Sequence, residues 1–86
     1  MENKKVKIYV IHGRTSKNSY VCTGWFTKTR GAVEEFIKKY PRFKGEAEIQ
    51  TQFAEDFGHG VLIASSRWEA IDSFESTKEL KQYTGE

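Results

Sequence analysis

Cys22, His12 and His59 carry the most reactive side chains in this sequence. A cysteine thiolate beside an imidazole makes a nucleophile with its base. Here, however, Cys22 stands alone in a β-favouring run, Tyr20 to Phe26. A lone cysteine in such a run acts as a small apolar residue. With Asp56, the same side chains are the candidate metal ligands, yet no pair has the spacing Cys-x-x-Cys or His-x-x-x-His. Asp56 and His59 lie three apart beside glycines, a pattern of turns. Glu55 and Asp56 are the best carboxylate pair for hydrolysis, but that chemistry needs two carboxylates facing across a cleft. An aspartate next to Gly58 is ordinary turn chemistry. The residues therefore predict no catalytic centre, no metal site and no cofactor, and favour a binding module over an enzyme.

The run His12-Gly13-Arg14-Thr15-Ser16-Lys17-Asn18-Ser19 is more suggestive. One glycine, two cations and several hydroxyls can hold a phosphate through side-chain donors and backbone N–H groups. It is not a P-loop, since Gly-x-x-x-x-Gly-Lys-Ser/Thr is absent and no helix follows. Basic residues continue on either side. Lys5, Lys7 and Tyr9 share one strand face by alternation, and Arg42 and Lys44 lie beyond the first helix. Cations supply affinity for phosphates and exposed aromatic rings stack bases. The residues expected to contact nucleic acid or another polyanion are Lys5, Lys7, Tyr9, Arg14, Lys17, Arg42 and Lys44. Trp25 and Tyr40 are expected in the core.

The charge distribution points the same way. Residues 1–45 hold 11 Lys/Arg against three acids, a net +8, and residues 46–86 hold three Lys/Arg against nine acids, a net −6. Such asymmetry signals an electrostatic binding face if the halves stay apart in the fold. If basic and acidic residues meet each other instead, the signal is lost.

The elements that position these residues follow from periodicity. Lys5 to His12 alternates Val6, Ile8 and Val10 with Lys5, Lys7 and Tyr9, which predicts a strand. Tyr20 to Phe26 predicts a second strand, so the basic run becomes a hairpin loop. Val33, Phe36, Ile37 and Tyr40 form one helical stripe, with Glu34–Lys38 and Glu35–Lys39 pairs outside it. A helix from about Arg30 to Tyr40 is predicted, capped by Thr27 or Thr29 and ended by Pro41. Glu46 to Phe53 alternates as a strand, although Ile49, Phe53 and Phe57 also lie four apart, as on a helix. Val61 to Ala64 is a short strand. Two capping boxes follow, Ser66 with Glu69 and Ser76 with Glu79. The first predicts a helix through Trp68, Ile71 and Phe74, the second a helix through Leu80 and Tyr83.

The sum is one α+β domain over residues 1–86, β-β-α-β-β-α, with an antiparallel sheet of about four strands and helices on one face. The opposite face is expected to be partly open to water or a partner. In 86 residues the large apolar side chains are consumed by the core, which argues against a deep pocket. One cysteine, no apolar leader and no long apolar run lead to the expectation of a cytoplasmic protein without membrane contact.

Part of the chain resembles, in order only, the N-terminal hybrid-binding domain of some ribonucleases H. The likeness runs over residues 7–44, through Lys7-Ile8-Tyr9-Val10-Ile11-His12-Gly13-Arg14, Tyr20, Trp25 and Ile37-Lys38-Lys39-Tyr40-Pro41. That family's Gly-apolar-Tyr step and second helix motif are missing here, so no residue role is transferred. In size and composition the chain also resembles phage-encoded accessory and anti-defence proteins. That likeness implies an inhibitor that covers a surface of a nucleic-acid-binding protein, with Glu46, Glu48, Glu55 and Asp56 imitating phosphates. A third expectation is a homo-oligomer that sequesters a nucleotide between Arg14, Lys17, Arg42 and Lys44.

Overall fold

The computed structural model describes residues 4–58, 62–64 and 67–83. The strands are β1 (Lys4–Thr15), β2 (Tyr20–Cys22), β3 (Lys44–Asp56), β4 (Leu62–Ala64) and β5 (Glu69–Ser76). The helices are α1 (Thr29–Lys39) and α2 (Thr77–Leu80). All pairings are antiparallel, and β3 joins β1 on one side and both β4 and β5 on the other. β4 pairs residues 54–56 and β5 pairs 44–51, so the two fill one sheet position in succession. The result is the expected α+β fold with a sheet four positions wide.

β1 and β3 pair without interruption from Lys4↔Asp56 to Thr15↔Gly45, along a molecule whose longest axis is 46 Å. α1 and α2 cover only one end of one face. There Ile11, Ala47 and Ile49 meet Ala32, Val33 and Phe36. The Phe36 ring is the hub, with centroids 5.0 Å from Tyr40 and 5.2 Å from both Phe43 and Phe74. Such tilted and edge-to-face contacts add to the area these rings bury.

The opposite face is partly open, as expected, with a buried centre. Ile8 and Ala54 are fully buried although no helix lies over them. The Tyr9↔Phe26 bridge gives Trp25 the opposite facing to Phe26, and Glu69 opposite Thr51 does the same for Trp68. The two indoles, one from each edge, meet edge to face at 6.1 Å. Trp25 is thus half-exposed on a second, small cluster and not in the main core.

One expected helix is a strand. The Ser66–Glu69 box would have started a helix through Trp68, Ile71 and Phe74, but Glu69–Ser76 is β5, and Ser66 lies outside the described residues. The physical reason is pairing: the edge of β3 from Lys44 to Thr51 needs a partner for its N–H and C=O groups. As a strand, β5 also delivers Phe74 opposite Ala47 into the aromatic core. Ile71 is the extra residue at the register shift between Ile49 and Gln50. The second box is present, with Ser76 Oγ accepting from the Glu79 N–H at 3.1 Å. At the α1 start, Lys28 and not a threonine is the N-cap residue, and no side chain caps the helix. The Asp56 turn is as expected, its Oδ1 accepting from the Gly58 N–H at 2.8 Å; His59, Gly60 and Val61 lie outside the described residues.

Candidate polyanion-binding groove

The β1–β2 hairpin loop is held firmly by its own hydrogen bonds. Thr15 N–H donates to Ser19 O, and Asn18 N–H to Thr15 O, both at 2.8 Å. Ser19 N–H donates to Thr15 Oγ1 at 3.0 Å, and Arg14 Nη1 to Asn18 Oδ1 at 3.1 Å. Asn18 takes the left-handed conformation, φ 66°, which asparagine tolerates. A fourth loop amide, Ser16 N–H, donates to Lys44 O at 2.8 Å and ties the loop to the start of β3. These amides are therefore spent within the protein. A phosphate at this loop would be met by side chains, not by the backbone N–H cradle that the loop's composition suggests.

That tie needs Gly45. Its φ is +155°, and a Cβ there would come within 2.7 Å of Thr15 Cα. Only glycine lets the β3 start approach the loop so closely. The loop and the α1–β3 turn then enclose a shallow concavity of about 580 Å³. Lys17, Arg42 and Lys44 line it, together with Thr15, Ser16, Ser19, Pro41 and Phe43, and its walls are mostly apolar. Among the described residues no carboxylate lines it, and the three cations are exposed. Tyr40 forms part of the wall, its hydroxyl donating to Cys22 O at 3.3 Å.

The other four expected contact residues lie elsewhere. Arg14 faces Glu46 across the ladder and lines a different groove with Glu46, Glu48, Glu75 and Glu79. Lys5 faces Glu55. Lys7 lies over the Phe53 ring, its Nζ 5.8 Å from the centroid, a cation–π distance. Lys5 and Lys7 are at the far end of the β1–β3 ladder, roughly 23 Å or more from Arg14 at about 3.3 Å per residue. Tyr9 shares their facing, but its ring packs against the core cluster and is not a free stacking platform. The separation of charge is thus partial. The basic strand β1 and the acidic strand β3 are direct neighbours, while Lys17, Arg42 and Lys44 share a groove that no carboxylate lines among the described residues.

Among the described residues the reactive side chains form no larger constellation. His12 and Cys22 are directly opposite in the β1–β2 ladder. Among the described residues no group of three His, Cys, Asp or Glu is gathered to hold a metal ion, and no helix is long and apolar enough to cross a membrane.

A second cationic groove was not anticipated from sequence. Lys28, Arg30 and Lys81 line it at the start of α1. The available signal was Lys28-Thr29-Arg30 at a helix start with no acid in its first turn. Lys81 joins them only through the tertiary fold. No protein-family model, curated protein or solved structure matches the chain.

Proposed function

We propose that this protein is a non-catalytic module that binds nucleic acid or another polyanion through Lys17, Arg42 and Lys44. The observation that carries the reading is the convergence of these three cations on one shallow groove that no carboxylate lines among the described residues. Phosphate contacts of this kind give affinity without reading sequence. Tyr20, exposed on the same hairpin, lines the acidic groove beside His12 and lies outside this site. Arg14, Lys5 and Lys7 are peripheral in this reading, because each already faces a carboxylate or a ring.

The test is a mobility-shift titration with single-stranded and duplex DNA and RNA at low salt. A retarded complex is expected, weakened in a Lys17→Glu/Lys44→Glu variant. Absence of any complex at low salt removes the reading.

A second reading rests on the acidic groove. Glu46, Glu48, Glu75 and Glu79 gather around His12 and Arg14, which suits a basic partner surface such as that of a nucleic-acid-binding protein. In that case the protein acts as an inhibitor by occlusion. Glu48→Gln/Glu75→Gln would weaken it, and the mobility shift above would be absent.

A further inference from the structure

The groove at the start of α1 has a volume of about 780 Å³ and opens between that helix, β1 and the C-terminal segment. An α-helix leaves its first N–H groups without intrahelical acceptors and carries partial positive charge at that end. Most helices answer this with a capping oxygen or an acid in the first turn. α1 has neither, and its N-cap residue is Lys28. Lys28 and Lys81 add two cations, and Arg30 is engaged by the one carboxylate in the lining, Glu34, at 3.3 Å.

Thr29 supplies the independent observation. It lines the groove, is 1 % exposed, and its Oγ1 is buried with no hydrogen-bond partner. Buried hydroxyls are nearly always satisfied, because leaving one unpaired is costly. Of the first amides, the Gly31 N–H donates to Lys28 O at 3.1 Å; the Thr29 hydroxyl, beside the Thr29 and Arg30 N–H groups and the Lys28 and Lys81 ammonium groups, matches an anionic acceptor. The phenols of Tyr9 and Tyr83 also line the groove. Burial first, then the charges of Asp72 and Tyr9, raises the Tyr83 pKa, so its hydroxyl stays a donor.

We propose that this groove binds a terminal phosphate monoester, with the phosphate at the α1 N-terminus against Thr29 and between Lys28 and Lys81, and the organic part beside Tyr9 and Tyr83. The site is separate from the Lys17–Arg42–Lys44 groove and does not depend on it. Monoester chemistry comes from two sources, a small phosphorylated metabolite or the 5′-phosphate end of a nucleic acid.

Amide chemical-shift titrations with inorganic phosphate and with uridine 5′-monophosphate test it. Saturable shifts at Thr29, Arg30 and Gly31 are expected, with the mononucleotide binding more tightly than phosphate. Thr29→Val should weaken binding about tenfold or more. It should not lower the melting temperature, because the hydroxyl has no partner to lose. Lys81→Glu, on the surface, should weaken binding without unfolding. A 5′-phosphorylated dinucleotide that outbinds the mononucleotide assigns a nucleic-acid end, and equal affinity assigns a small ligand. The proposal is overturned if the three amides do not shift, or if Thr29→Val and Lys81→Glu bind as the parent does. Shifts confined to residues 16–18 and 42–44 also overturn it, while leaving the other groove standing.

Discussion

Thr77 and Phe43 exchange hydrogen bonds across 34 residues of chain. Phe43 N–H donates to Thr77 Oγ1 at 3.0 Å, and Thr77 N–H donates to Phe43 O at 3.1 Å. The same hydroxyl donates to Tyr40 O. The first residue of α2 thus clamps the α1–β3 turn, and with it Arg42 and Lys44 on either side of Phe43. Thr77→Val keeps the shape but leaves the Phe43 N–H unpaired in a buried site, which costs about 1–3 kcal/mol. A domain of this size holds roughly 4–13 kcal/mol in all, at 0.05–0.15 kcal/mol per residue. A clear drop in the denaturant midpoint is expected, with the slope unchanged.

Gly45 makes the close approach of the loop to β3. Gly45→Ala forces a side chain against Thr15 and Arg14 in a backbone conformation that L residues rarely adopt. A loss of more than about 1 kcal/mol follows. Anion binding at Lys17 should weaken with it, because the Ser16–Lys44 bond holds Lys17 near Lys44. Thermal melts and a binding titration on the same sample read both effects. An unaltered melt would show that the contact is not needed.

Phe36 contacts three other aromatic rings and is fully buried. Phe36→Ala removes about 3–5 kcal/mol, a large share of the total. The aromatic signal in near-ultraviolet circular dichroism should be lost at a much lower denaturant concentration than in the parent. Phe36→Leu should retain a cooperative transition at a lower midpoint.

Tyr83 sets an alkaline limit. Its pKa is raised from 10.0 by burial, then by Asp72 and Tyr9. A raised pKa in the folded state contributes stability that is complete below the unfolded value and is lost as pH climbs through the folded one. Melting temperature should therefore fall more steeply above about pH 10 in the parent than in Tyr83→Phe. Parallel curves would show that Tyr83 is not linked to folding.

Local pattern gave strands β1 to β4, the helix α1 and the Ser76–Glu79 cap, because alternation, the Val33–Tyr40 stripe and Pro41 are each settled by near neighbours. β5 was not legible, because Ser66 and Glu69 write a local helix signal that the distant edge of β3 overrides. Lys17, Arg42 and Lys44 were among the expected contact residues, but so were Lys5, Lys7, Tyr9 and Arg14, which the fold turns toward other partners. Alternation placed Lys5 and Lys7 on one face correctly. It carries no information on register, and register sets Lys5 opposite Glu55 and Arg14 opposite Glu46. The Trp25–Trp68 contact joins two edges of the sheet, and no sequence spacing announces it.

The salt dependence of binding to a labelled single strand tests the central claim most directly. Each phosphate neutralised contributes a slope of about −0.7 in log affinity against log salt. A slope near −2 is expected for the parent from three cations. Lys17→Gln/Arg42→Gln/Lys44→Gln should abolish most of it, and Lys5→Gln/Lys7→Gln should leave it unchanged. Binding that shows no salt dependence, or that the two variants weaken equally, would contradict the assignment of this groove.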